Sequence, residues 1–265
     1  MKKTYAIVNF ISVLLVLLVN GLSQAQRWNN TTIGEQSDKY ENLFTPAGYA
    51  FSIWGLIFLM LVGYAIFQIR RAFFSNKKSP FIEQTGWWFA IANFLNAAWV
   101  VAFTYEYIGL SVIIMLGILC SLLLVVWRTN MERWDAPIAI IAFVWWPVCI
   151  YAGWIAVATI ANFSAFFASI GWTGTEFNEI VWTMVLITVA VLINVLMVWL
   201  RNMREFAAVA IWALVAIFIR HQEQYESIAY YALSSAIILF IIVSIHAYKN
   251  RETAPHIKLK ERLSN

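Results

Sequence analysis

The chain has 265 residues, 62% of them hydrophobic and only 12% charged, with a formal net charge of +4. That balance excludes a disordered chain and argues against a soluble globular domain. The positive charge sits in short connections and the tail, so it reads as a topology signal and not as a nucleic-acid surface.

Eight apolar segments follow in order, at about 5–23, 49–69, 86–104, 109–127, 137–161, 179–200, 206–219 and 228–248. Several reach the roughly 20 residues that cross a bilayer. The fold class is therefore all-α, a polytopic membrane helix bundle; a β-barrel would show shorter alternating segments. The first segment, within "MKKTYAIVNFISVLLVLLVNGLSQAQ", fits a retained helix. It also fits a signal peptide with a small-residue site near Ala25. Lys and Arg cluster before the first segment and after the second, fourth, sixth and eighth. Arg27, Lys39 and Arg220 break this rule, and acidic residues accompany each. The positive-inside rule then puts both termini in the cytoplasm, as in a multi-pass protein of a bacterial plasma membrane.

Cys120 and Cys149 fall inside apolar runs, which implies two small buried residues and no disulfide. Among the 14 Trp, an interfacial belt accounts for Trp87, Trp88, Trp127, Trp134, Trp199 and Trp172. It accounts less well for Trp54, Trp99 and Trp154, which sit roughly 6–12 Å below the ends of three different helices, in one leaflet. Phe51, Trp54 and Phe58 share a helix face at i, i+3, i+7. Gly48, Ser52, Gly55 and Gly63 form an adjoining small-residue stripe that suits close helix packing. Phe89, Asn93, Asn96, Trp99 and Phe103 fall on one side of the third segment. Pro147, Tyr151, Trp154, Ala158 and Asn162 do so in the fifth. An Asn at membrane depth needs a polar partner, so these faces point into the bundle. Packed aromatics with interhelical hydrogen bonds and a ligand pocket both satisfy that spacing. Thr45 and Pro46 read as the N-cap and first turn of the second helix.

His221, His246 and His256 lie at helix ends or in the tail, which disfavours a bis-His haem site. Glu106, Asp135 and Glu179 read as solvated caps at segment boundaries. No nucleophile–base pair, metal motif or phosphate loop appears, so no catalytic or metal residue is assigned. The absence of deep charges and of an inverted repeat counts against a secondary transporter.

Three stretches in order carry a family resemblance. "FTPAGYAFSIWGLIF" (44–58) resembles the Pro-Pro-Gly-Trp…Trp helix opening of the TspO/translocator family of tryptophan-rich sensory proteins. "FLNAAWVVAF" (94–103) resembles that family's Ala-Leu-Asn-x-x-Trp helix, and "YAGWIAVATIAN" (151–162) its Pro-Tyr-Leu-Ala-Trp…Leu-Asn helix. The resemblance covers about residues 5–165. It implies a five-helix core over 1–165, with a retained first helix and a lid loop at 25–48. Three additional transmembrane helices within 166–250 and a basic cytoplasmic tail at 251–265 lie outside it. It also implies a planar lipophilic ligand, a tetrapyrrole or sterol, with no required cofactor. The site expected is Phe51, Trp54, Asn96, Trp99, Tyr151, Trp154 and Asn162 beneath lid residues Phe44, Pro46, Gly48 and Tyr49. Expected partners are the bilayer, the ligand and a second copy in a homodimer. Phe44 and Tyr49 stand where the family has Trp, which weakens any carry-over of light-dependent tetrapyrrole breakdown. A ligand-binding sensor or translocator is therefore favoured over an enzyme. A transporter of a small hydrophobic solute and a tetrapyrrole-degrading enzyme are the alternatives.

Overall fold

The structure is a computed structural model that describes residues 1–40, 42–172, 176–251, 257 and 259. The tail expected after residue 251 lies almost wholly outside these residues. All eight apolar segments are helical. They form α1 (Lys2–Gln26), α3 (Ile53–Phe73), α5 (Trp88–Thr104), α6 (Ile108–Arg128), α8 (Trp146–Ser169), α9 (Glu176–Arg201), α10 (Arg204–His221) and α11 (Glu226–Lys249). Three short helices complete the set: α2 (Ile33–Lys39), α4 (Phe81–Thr85) and α7 (Ile138–Ile140). Among the described residues, six helices are long and apolar enough to cross a membrane, and α5 is a shorter apolar helix of 17 residues. The 18 residues of α10 begin with Arg204 and Glu205 and end with Arg220 and His221.

The first five long helices close a ring in which α1 touches α3 and α5, α5 touches α6, α6 touches α8, and α8 returns to α3. A second group is attached on one side. There α10 packs on α8 and is flanked by α9 and α11. The contact between the two groups is close because of one glycine. A Cβ on Gly153 would lie 2.8 Å from the Phe206 carbonyl oxygen, so only hydrogen fits where α8 meets α10.

The expected small-residue stripe does not serve this purpose. A side chain at Gly48 or Gly55 would meet nothing within 4 Å, and one at Gly63 would make ordinary contact with Phe143. Spacing identified a slender face, but only its Gly63 end meets a neighbouring segment, and there with ordinary contacts. The start of this helix also differs from expectation. A 3-10 turn begins at Gly48 behind Ala47, with no side-chain cap, and Thr45 and Pro46 precede it. The Ala47 N–H donates instead to the Ala216 carbonyl of α10 at 3.1 Å. That bond ties the approach to α3 to α10.

In α8 the stripe begins with a break in helix geometry. A π-helical turn at Ile141–Trp145 precedes Pro147, which has no N–H to donate into the turn behind it. Cys149 is buried as expected, but Cys120 lies on an exposed face. Of the Trp assigned to the belt, Trp87, Trp127, Trp134, Trp172 and Trp199 are exposed and Trp88 is half-buried.

Candidate functional site

The three faces singled out by spacing converge inside the five-helix ring. From α3, Trp54 stacks on Phe58 with centroids 5.2 Å apart and meets Tyr151 and Trp154 of α8 edge-on at 6.0 and 6.4 Å. Phe51 meets Trp154 edge-on at 5.9 Å. From α5, Trp99 stacks on Phe103 at 5.0 Å. Trp99 is 6% exposed and Trp154 2%, which separates them from the belt.

Polar side chains tie these walls together. The Trp99 indole N–H donates to Asn162 Oδ1 at 2.7 Å, and Asn162 Nδ2 donates to Ser111 Oγ of α6 at 2.9 Å. Asn162 thus joins α5, α6 and α8. Asn96 accepts at Oδ1 from Asn20 Nδ2 of α1 at 3.1 Å. Two further bonds fix α1 in the ring: Asn93 Nδ2 donates to Ser12 Oγ at 3.0 Å, and Asn9 Nδ2 donates to Gln68 Oε1 of α3 at 3.0 Å. Each of these Asn therefore has at least one partner across the ring, while Asn9 Oδ1, Asn93 Oδ1 and Asn96 Nδ2 stay unpaired. The polar face of α1 was not read from the sequence. Its signal was there: Asn9, Ser12, Asn20 and Ser23 recur at helical spacing in an otherwise apolar run, and all four are buried.

The cluster surrounds a cavity of about 40 Å³ lined by Phe51, Trp54, Trp99, Trp154 and Asn162, with Ile33 and Pro46 closing the top. Sites for ligands of drug size are about 300–1,000 Å³. This space suits a few waters at most. The arrangement is therefore closed, and a planar ring system enters only if the lid and some of the aromatics move. Three buried polar groups of the expected site carry no hydrogen bond: the Trp154 indole N–H, the Tyr151 hydroxyl and Asn96 Nδ2; of these only Trp154 lines the cavity, while Tyr151 and Asn96 lie behind its wall.

The lid, expected as a loop over 25–48, contains one short α-helix. α2 starts at a capping box in which the Glu35 N–H donates to Thr32 Oγ1 and the Thr32 N–H donates to Glu35 Oε2. The Thr-x-x-Glu spacing was its signal. Three ion pairs stiffen and pin this region, and they use the three cations that broke the charge rule. Arg27 binds Glu35 at 2.8 Å within the lid. Lys39 binds Glu106 in the turn between α5 and α6, and Tyr40 donates to the same carboxylate at 3.4 Å. Arg220 of α10 binds Asp38 at 2.8 Å. Glu106 is exposed at the segment boundary, as expected, and also anchors the lid; the Lys39 ammonium holds its carboxyl below the usual carboxylate range. On the α10 side, the Trp212 indole N–H donates to the Ala50 carbonyl at 3.2 Å and Arg220 Nη1 to the Pro46 carbonyl at 3.4 Å.

The four expected lid residues separate. Pro46 lines the cavity. Phe44 is 1% exposed and packs with Leu43 into the second apolar cluster, with residues of α8 to α11. Tyr49 is partly exposed and meets Trp212 edge-on at 5.1 Å. Gly48 is exposed.

No curated protein and no solved structure matches this chain. The profile of the TSPO-like protein family matches residues 6–245, running through α9, α10 and α11 beyond the stretch that carries the three motifs. A ring of five apolar helices, its aromatic centre and a match over nearly the whole chain lead to one conclusion: this is an integral membrane protein that belongs to the TSPO-like family.

Proposed function

We propose that the chain is a sensory or translocator-type membrane protein whose aromatic cluster takes a planar lipophilic ligand, of which a tetrapyrrole is the leading class. The observation that carries this reading is the convergence of Phe51, Trp54, Trp99 and Trp154 around one cavity directly beneath Ile33 and Pro46 of the lid. Aromatic faces suit planar rings. The unpaired Trp154 N–H, whose ring lines the cavity, offers such a ligand a buried polar contact. No cofactor is needed for this function, and binding rather than catalysis is its chemistry. Titration of the detergent-purified protein with protoporphyrin, read by porphyrin absorbance, tests it; a saturable isotherm is expected.

Orientation follows from charge. At the end of the bundle carrying the lid, Arg27, Lys39 and Arg220 are each ion-paired. The opposite end carries Lys2, Lys3, Arg70, Arg71, Lys77, Lys78, Arg128, Arg133, Arg201 and Arg204. This asymmetry supports both termini facing the cytoplasm and the lid facing outward.

The lid ion pairs govern entry in this reading. Removing both anchors with Glu106→Gln and Asp38→Asn is expected to speed porphyrin association, by about two- to fivefold per pair as suits exposed ion pairs. Stopped-flow quenching of Trp emission measures the rate. An unchanged rate in the double variant means that the ligand does not enter past the lid.

A further inference from the structure

The end of the bundle opposite the lid holds a second cavity, of about 460 Å³. It lies where the connection between α6 and α7, the turn between α9 and α10, and the last turns of α11 come together. Unlike the aromatic cluster it is open and polar. The turn that builds one wall is tight: Asn202 takes φ 61°, which sets Arg201 and Arg204 on either side of it.

Six buried polar atoms of the lining residues have no hydrogen-bond partner. Three are nitrogens: Arg201 Nη1, Arg204 Nε and His246 Nδ1. Three are oxygens: Glu132 Oε1, Glu205 Oε2 and Asn202 Oδ1. Buried groups of this kind are normally paired, and an unpaired one costs more than an ordinary hydrogen bond returns. His246 is only 7% exposed, and its ring meets Trp199 edge-on at 5.6 Å. Glu205 is held in place by the Trp146 indole N–H, which donates to its other oxygen at 3.0 Å. Neither Glu132 nor Glu205 forms an ion pair with Arg201 or Arg204, although Glu132 feels both Glu205 and Arg204. Burial, with Glu205 adding to it, pushes the Glu132 carboxyl up to about 8 against the pull of Arg204. Arg133 and Asp135 also line the cavity, so it carries both signs of charge, with three nitrogens and three oxygens left unpaired.

We propose that this cavity binds a small zwitterion, an ammonium joined by a short spacer to a phosphate or carboxylate. The ammonium goes to Glu132 and Glu205, and the anion to Arg201, Arg204 and His246. An anion alone would leave the unpaired oxygens of Glu132 and Glu205 without a donor, and a cation alone would leave the unpaired nitrogens of Arg201, Arg204 and His246 without an acceptor. Exposed Trp134 and Trp199 flank the opening, a side-chain type that favours the membrane–water interface. A zwitterionic lipid headgroup and a free zwitterion share this chemistry.

The full-length protein in detergent is titrated calorimetrically with O-phosphoethanolamine, with inorganic phosphate and ethanolamine as separate probes. Short-chain phosphatidylethanolamine is run in the same micelles. Phosphoethanolamine is expected to bind at least about tenfold more tightly than either half alone. Glu132→Gln and Arg204→Gln are each expected to weaken it by a similar factor, while Arg220→Gln at the lid end leaves it unchanged. Glu132→Gln keeps the size of the side chain and removes only its acidity, so it decides the matter if Arg204→Gln does not fold. Tighter binding of the short-chain lipid assigns the site to a headgroup, and equal binding assigns it to a free zwitterion; both support the proposal. No saturation with either molecule, binding by one half alone at full strength, or insensitivity to Glu132→Gln overturns it.

Discussion

Gly153→Val is expected to lower the melting temperature by roughly 3–10 °C and to loosen the lid, a site more than one helix away. The reason is geometric. The new Cβ would sit 2.8 Å from the Phe206 carbonyl oxygen and 3.1 Å from Phe206 Cα. Both are backbone atoms, so no side-chain rotation relieves the clash, and α10 must shift away from α8. Overpacking of this kind costs about 1–3 kcal/mol. The lid shares the damage because α10 supplies the Ala216 carbonyl to Ala47, the Trp212 N–H to Ala50 and the Arg220 guanidinium to Asp38. Thermal unfolding measures the first effect, and limited proteolysis of residues 42–52 measures the second. Unchanged melting with unchanged proteolysis would mean that the second helix group does not hold the lid. A Gly63→Ala control, at a position with ordinary contacts 3.6 Å from Phe143, should change neither.

Stability of the protein without an added zwitterion is expected to fall as pH rises from about 5 to 8, and Glu132→Gln should flatten that slope. The Glu132 carboxyl has an ordinary value of 4.5 and is pushed up to about 8 in the fold. Between those values the folded chain binds a proton that the unfolded chain has released. The unfolded state therefore binds fewer protons, and stability declines with pH across that window and levels off above it. The slope is of order 1 kcal/mol per pH unit. Chemical or thermal unfolding at pH 5, 6.5 and 8 for both proteins measures it. Parallel pH profiles would show that Glu132 is not the group responsible.

Much of the architecture is legible in the chain because lipid imposes a simple rule on long helices. Every apolar run is helical, and the faces bearing Trp54, Trp99 and Trp154 do meet. The three cations that broke the charge rule do pair with acids, but only Arg27 finds its partner nearby in the chain, at Glu35; Lys39 reaches Glu106 and Arg220 reaches Asp38 across the fold. What was not legible depends on which surfaces face each other. Gly55 and Gly153 look alike in sequence, yet only Gly153 lies against a backbone. Phe44 looks like a lid residue by position, but its burial is decided by helices more than a hundred residues later. Helical spacing could not separate a filled cluster from a pocket, because the difference is a cavity of about 40 Å³ set by rotamers. Nor could it reveal that the chain's polar atoms go unpaired at the far end, where three separate connections meet.

The central claim is that the cluster under the lid receives the planar ligand. Its most direct measurement is protoporphyrin titration of three proteins in parallel: the wild type, Trp99→Phe and Trp199→Phe. Trp99 is buried in the cluster and donates to Asn162, whereas Trp199 is exposed at the opposite end. The account predicts saturable binding by porphyrin absorbance that Trp99→Phe weakens and Trp199→Phe leaves intact. Absence of saturable binding, or equal loss in both variants, would contradict it.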